Sequence, residues 1–413
     1  MGTQRRSVLF LLGMSTLYLG INYLWASYGS LVLPWQVQQI LPATYRGLTV
    51  GLTVAIGQAL GIFFDIFSGT AGDMLHLGWG KRRPLMAAGT LGAAAVVLIE
   101  ARMPLMLASV ATGYVIMMVF SGSAQGSLKP LLPDLVPQEQ RGKAGGILTL
   151  FIMMGFMLGT VLTGYLVGSG QIEVALLVTA AALLLSLLPT VYTIRHDDPP
   201  NRPQVEKRLA SSLADCFRAM FRAKETPPGF VSLLVGIFLT YNGTWGLTYF
   251  ELYYLQDVIR MKDAAYGVAT AGAVLLLASV AFGLLLGALS DRVSRKPFLV
   301  GGALTSGLIM ISLIFIRSFE VFLVAASALG AVIGIFVAVR NAAVSDMVPP
   351  SSSGRYMGYA DIVVDGPSVV APALDGGLLF AFSAYMGGFL AVFLVSAALD
   401  VAGAALLARA RFQ

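Results

Sequence analysis

Charge is scarce in this sequence. Of 413 residues only 12% are Asp, Glu, Lys or Arg, against 57% that are hydrophobic. Soluble chains carry about a quarter charged residues, so an ordinary soluble domain and a disordered chain are both excluded. Cysteine is nearly absent: Cys216 stands alone, and no intramolecular disulfide can form. The two histidines, His76 and His196, lie far apart in the chain, which leaves no zinc-type cluster. No Gly-x-x-x-x-Gly-Lys-Ser/Thr segment occurs, arguing against an ATP-driven machine. With no nucleophile motif and no metal-ligand spacing, neither an enzyme nor a bound cofactor or metal is expected.

What the sequence has is long apolar runs, and its mean hydropathy is +0.80. A membrane-crossing helix needs about 20 apolar residues. Twelve runs qualify: 8–33, 47–68, 84–101, 104–128, 144–168, 172–194, 229–256, 264–288, 297–316, 319–345, 357–383 and 387–408. The first is too long for a signal peptide and is read as a retained span. A polar stretch divides the set in half. The expected organisation is therefore an all-α membrane protein, with one six-helix bundle at 1–194 and a second at 229–413. The linker at 195–228 should carry an amphipathic helix, since Val205, Leu209, Leu213, Phe217 and Phe221 recur every four residues.

Basic residues orient the spans. Of the 27 lysines and arginines, all but Arg46, Arg102, Arg260, Lys262 and Arg317 fall on one side of this topology. The positive-inside rule makes that side cytoplasmic, together with both termini and the linker. The polarised net charge of +6 fits a plasma (inner) membrane protein better than a nucleic-acid binder. The expected partners are the lipid bilayer and a small-molecule substrate, and the expected state is a monomer.

The halves repeat each other. Gly69-x-x-x-Asp73, then Lys81-Arg82-Arg83-Pro84, follows span 2; Gly287-x-x-x-Asp291-Arg292, then Arg295-Lys296-Pro297, follows span 8. Asp134-Leu-Val-Pro137 with Arg141 follows span 4, and Asp346-Met-Val-Pro349 with Arg355 follows span 10. Parallel duplication of a six-span unit is one way in which secondary transporters are built.

On these motifs the chain resembles the major facilitator superfamily along essentially its whole length. The resemblance implies alternating access, with Asp73 and Asp291 and their basic neighbours as cytoplasmic latches. More narrowly, Asp65-x-x-x-Gly69-x-x-x-Asp73 before Gly80-Lys-Arg-Arg-Pro84 is similar to the melibiose-type glycoside carriers and the sucrose–proton symporters. That likeness implies a cation-coupling role for Asp65, although the carriers' second acid of span 2 falls on Gly61 here. Span 5 contains no proline, so the Gly-Pro signature of many drug–proton antiporters is missing.

A charge at mid-bilayer costs about 2.5–3.5 kcal/mol on insertion scales, so ionisable residues within spans are functional candidates. Asp65, among Phe63, Phe64 and Phe67, leads for coupling to a proton or sodium, followed by Asp365 and Glu251. Asp361, one turn before Asp365, is read as a gate residue with Arg340 as partner. The gating set then comprises Asp73, Arg82, Arg83, Asp134, Arg141, Asp291, Arg292, Arg340, Asp346, Arg355 and Asp361. Glu100 and Asp400 are expected to snorkel to an interface, and Asp375 to sit near the outer surface. Substrate contacts are expected from Asn22, Tyr23 and Trp25 of span 1, and from Tyr241, Asn242 and Trp245 of span 7. These first helices of the two repeats place aromatic faces and amides at mid-span, as a sugar or glycoside requires. The runner-up reading is export of a drug-like or lipid-like amphiphile, which an apolar interior with 17 methionines suits, and a non-transporting membrane assembly protein ranks after it.

Overall fold

The computed structural model describes residues 5–74, 80, 82–195, 229–290, 293–347, 362–384 and 386–410. Among the described residues twelve helices are long and apolar enough to cross a membrane: Val8–Ile40, Ala43–Gly72, Arg83–Glu100, Leu107–Leu135, Gln138–Gly168 and Ile172–Thr193 in the first half, Phe230–Asp257, Ala264–Leu286, Lys296–Leu313, Phe319–Arg340, Ile362–Ala381 and Met386–Arg409 in the second. They are numbered spans 1–12. All twelve expected spans are present. Spans 1, 2, 4 and 5 run longer than their apolar runs, because helix continues into polar ends that hydropathy discounts. The linker helix lies outside the described residues.

Contacts divide the chain into two compact units: Met1–Ile40 with Ile56–Leu209, and Leu41–Ala55 with Ala210–Gln413. The beginning of span 2 thus packs with the second unit. Gly51 lies against the Pro372 carbonyl and Gly376 of span 11, Gly47 lies against Leu379, and Arg46 pairs with Asp257 at the end of span 7.

Apolar surface gains little by leaving lipid, so close packing and interhelical hydrogen bonds hold such helices together. In the first unit span 1 is tied to spans 5 and 6 by hydroxyls: Thr163 and Thr179 each lie 2.8 Å from the Ser27 oxygen, and Thr190 donates to the Gly13 carbonyl. In the second unit one apolar core joins Phe230, Leu234 and Ile237 of span 7 to Leu299, Phe336, Val339 and Leu407.

The duplication is written in glycine. Gly122 and Gly126 of span 4 press on the backbone carbonyls of Gly61 and Asp65 in span 2. Gly330 and Gly334 of span 10 press on those of Leu275 and Ser279 in span 8. At all four positions a Cβ would overlap a carbonyl oxygen, so only glycine allows the approach. Gly69 and Gly283 meet the Gly126 and Gly334 carbonyls at the same 3.1 Å from an ideal Cβ. This register matches Gly69 with Gly283, so the loop motifs follow one helical turn later in the second copy.

Span 1 is not a plain helix. Tyr28–Val32 is a π-helical turn in which the Leu33 N–H donates to the Tyr28 carbonyl. Pro34 follows; it has no N–H, and its ring crowds the carbonyl four residues back. The wider turn relieves that crowding, and the Ser30 hydroxyl donates to the Ala26 carbonyl.

Candidate functional site

Asp65 projects from span 2 at the glycine contact with span 4. Lys129 lies three residues beyond Gly126, which puts its ammonium opposite the carboxylate; the Nζ–Oδ2 distance is 2.5 Å. Asp65 is 14% exposed and Lys129 43%. In the second repeat the same register places Ser279 and Val337 at these positions. The close span contact forms there without an ion pair, so packing alone does not call for one.

Among the described residues of the candidate set Arg82 has the most enclosed guanidinium, at 5% exposed. It donates through NH1 to the Gly69 carbonyl at 2.9 Å, and through NH2 to Asp134 at 3.3 Å. It thereby joins the end of span 2 to the end of span 4. Arg83 is half-buried at the start of span 3. Arg141 is exposed and donates to the carbonyls of Pro133 and Val136, holding the loop between spans 4 and 5. The side chains of Asp73 and Asp346, and residues Asp291, Arg292, Arg355 and Asp361, lie outside the described set.

The mid-span residues pack differently in the two helices. Asn22 and Tyr23 are 4% and 2% exposed. Span 5 backs onto them: Gly155 faces the Asn22 Cβ and Gly159 the Tyr23 backbone. Trp25 is half-buried and donates its indole N–H to Ser121 at 2.9 Å. In span 7, Tyr241 and Asn242 are 7% and 3% exposed, and Trp245 is half-buried. Both amides turn back on their own helices. Asn22 donates to the Tyr18 carbonyl at 2.7 Å, and Asn242 to the Phe238 carbonyl at 2.8 Å. The Tyr241 hydroxyl accepts from Arg340 of span 10 at 2.9 Å, and Asp365 of span 11 acts on the same hydroxyl. Arg340 thus bonds to Tyr241, a partner the sequence did not connect, and Asp361, its expected partner, lies outside the described residues. Glu251 is half-buried in the second half of span 7.

Three further acids are enclosed, and two of them, Glu100 and Asp400, depart from expectation. Glu100, Asp375 and Asp400 are 9%, 2% and 0% exposed. Glu100 and Asp400 do not snorkel, because each packs against a glycine of a neighbouring helix. Glu100 fills the space left by Gly113 of span 4, and Asp400 the space left by Gly243 of span 7. Both oxygens of Glu100 and Asp400, and Oδ2 of Asp375, lack a hydrogen-bond partner among the described residues. A missing side chain on a neighbouring helix is invisible to a hydropathy reading, yet it is what gives these acids room.

The model of the Major Facilitator Superfamily matches residues 7–282 and again 233–412, which together cover both repeats. The chain belongs to the Major Facilitator Superfamily. Multidrug resistance protein MdtG of Dickeya zeae (strain Ech586) is 26% identical over 65% of this chain, and the match spans 62% of that relative's length. Solute carrier family 45 member 4 of Mus musculus is 26% identical over 46% of this chain and 26% of its own. Among solved structures, that of the nucleoside transporter NupG aligns with TM-score 0.76 at 14% identity, covering 98% of this chain and 100% of its own. That of a D-xylose–proton symporter aligns with TM-score 0.70 at 17% identity, covering 97% and 96%. These structural likenesses show the fold. Superfamily membership and the twelve spans together make the chain an integral membrane protein.

Proposed function

We propose that this chain is a secondary active transporter of a small organic solute, working by alternating access and coupled to a proton or sodium. Asp65 is the leading coupling residue. Its support is the asymmetry of the duplication: the packing of spans 2 and 4 is copied in spans 8 and 10, but the acid and its lysine are not. An ion pair that the fold does not need is available to exchange its lysine for a cation or a proton. Asp365, beside Tyr241 and Arg340, is the second coupling candidate, and Glu251 the third. The Arg82–Asp134 link, with its carbonyl partner at Gly69, serves as a latch at the ends of spans 2 and 4. The basic-residue bias supports cytoplasmic termini in a bacterial inner membrane.

One observation bears on the solute. The amide N–H groups of Asn22 and Asn242, the indole N–H of Trp25 and the hydroxyl of Tyr241 are engaged within their own units, while Asn242 Oδ1 lacks a hydrogen-bond partner among the described residues. What remains for a ligand is aromatic surface with the Asn242 side-chain carbonyl oxygen as its polar complement. That favours an amphiphile with a flat apolar face, and export of it is in keeping with the multidrug resistance name of the first relatives. A sugar or glycoside is the second reading, favoured by the aromatic faces of Trp25 and Trp245, which suit a sugar's C–H face.

The test is flux in proteoliposomes under an imposed pH or sodium gradient, with ethidium as the amphiphile probe and radiolabelled sucrose and melibiose as the sugar probes. Gradient-dependent ethidium movement supports export. Sugar accumulation without ethidium movement moves the assignment to the second reading. No flux of any probe under either gradient overturns both.

A further inference from the structure

Asp400 sits eleven residues into the helix Phe389–Arg409 and is fully enclosed. What faces it is glycine and a hydroxyl. An ideal Cβ on Gly243 of span 7 would lie 2.6–2.9 Å from both carboxylate oxygens and the carbon between them. Gly307 of span 9 lies against the Asp400 Cβ, and Ser306 stands beside it with its hydroxyl directed at the carboxyl group. Among the described residues no titratable or charged side chain of spans 7, 9 or 11 reaches the carboxyl.

An ionised carboxylate enclosed without a cation or donors costs several kcal/mol. A neutral acid in the same place costs only what an unpaired polar group does. Three small residues from two helices nevertheless make room for it, where leucine or alanine would pack without cost. The recess also lies directly behind the Tyr241–Trp245 stretch: Gly243 is flanked by the buried Asn242, whose Oδ1 has no partner.

We propose that Asp400 is a proton-binding site of the transport cycle. It holds a proton in the arrangement described here and releases it when span 7 shifts away from span 12. In that step the Asp400 O–H bond breaks, and the proton passes to water entering at Gly243. The carboxylate left behind takes donors from that water and from the Ser306 hydroxyl. Return of span 7 requires reprotonation, because the closed recess offers the charge a single hydroxyl and, among the described residues, no cation. The occupancy of this site is thereby tied to the position of Trp245, two residues beyond Gly243. This inference rests on the cation-coupled reading above but places a proton on span 12, apart from Asp65.

Two measurements on the purified chain in liposomes test it, and neither needs a transported solute. In infrared spectra at neutral pH, wild type minus Asp400→Asn should contain a carboxylic-acid C=O stretch. Tryptophan fluorescence titrated upward in pH should show a transition that is lost in Trp245→Phe and lost again in Asp400→Asn. Ser306→Ala, which removes a donor to the carboxylate, should move the midpoint up by about half a pH unit or more. It carries the test if Asp400→Asn is not recovered folded. An infrared difference without the acid band, a fluorescence transition retained in Asp400→Asn, or an unmoved midpoint in Ser306→Ala overturns the proposal. Absence of solute flux with these signals intact would overturn the transport reading instead.

Discussion

Replacing Arg82 with alanine should be among the most damaging single changes on the surface-facing ends of the first unit. The guanidinium is 5% exposed and its Asp134 partner 10%. Deleting one member of a buried ion pair typically costs about 3–5 kcal/mol, because the other charge stays buried and uncompensated. The 3.3 Å separation is longer than the ~2.7–2.9 Å of a strong charge-assisted bond, which points to the lower end, about 3 kcal/mol. Loss of the donor to the Gly69 carbonyl adds about 1 kcal/mol. The same unit supplies its own control. Arg102 and Glu173 are closer, at 2.8 Å, but 73% and 50% exposed; such pairs contribute about 0–1 kcal/mol. Unfolding in mixed micelles with increasing SDS, followed by circular dichroism, should therefore separate Arg82→Ala from Arg102→Ala by about 3 kcal/mol. A double-mutant cycle of Arg82→Ala with Asp134→Ala should give a coupling above about 1 kcal/mol. Equal effects of the two arginine variants, or a coupling below about 0.5 kcal/mol, would refute the argument that burial rather than distance sets the strength of these pairs.

Other outcomes follow from the geometry. Asp65→Asn removes the titratable charge facing Lys129; gradient-driven accumulation should be abolished while downhill exchange of the same probe persists, and continued uphill movement would mark the pair as structural. Gly334→Val places atoms in the Ser279 carbonyl and should cost more than the ~1–3 kcal/mol of ordinary overpacking, whereas Gly301→Ala, with nothing within 4 Å of its Cβ, should be near neutral in the same unfolding assay. Trp245→Ala should weaken binding of ethidium at least ten-fold while leaving the midpoint of unfolding within about 1 kcal/mol, and unchanged binding would remove span 7 from the solute's path.

The architecture was legible because membrane burial leaves a coarse signal. Runs of apolar residues gave twelve spans, and Asp-x-Val-Pro with its basic neighbour gave the repeat. The register between spans was not legible. Gly122, Gly126, Gly330 and Gly334 carry the closest helix contacts, yet glycine is so frequent in the chain, at 46 residues, that spacing alone does not distinguish them. The partner of Asp65 was equally hidden, since Lys129 lies 64 positions away and meets it only through that register. Asn22 and Asn242 were recognisable as mid-span amides on the first helices of the two repeats, but not that both donate to their own helices. The enclosed acids were misplaced because the rule that long charged side chains reach for the interface does not extend to Asp400: its stem is one methylene long and its neighbours are glycines.

The widened turn at Tyr28–Val32 bears on how this chain should be aligned with its relatives. A π-helical turn accommodates one residue more than the α-helix would over the same rise. Each residue in an α-helix turns the chain by about 100°, so everything after Val32 faces a direction that ordinary helical counting from Trp25 assigns incorrectly. Gln36 reaches the Tyr28 hydroxyl through this offset. A relative whose first span is a regular helix should therefore align with a one-residue gap opposite 28–32. Comparisons that ignore the gap would assign to Pro34, Gln36 and Val37 the neighbours of the residues beside them.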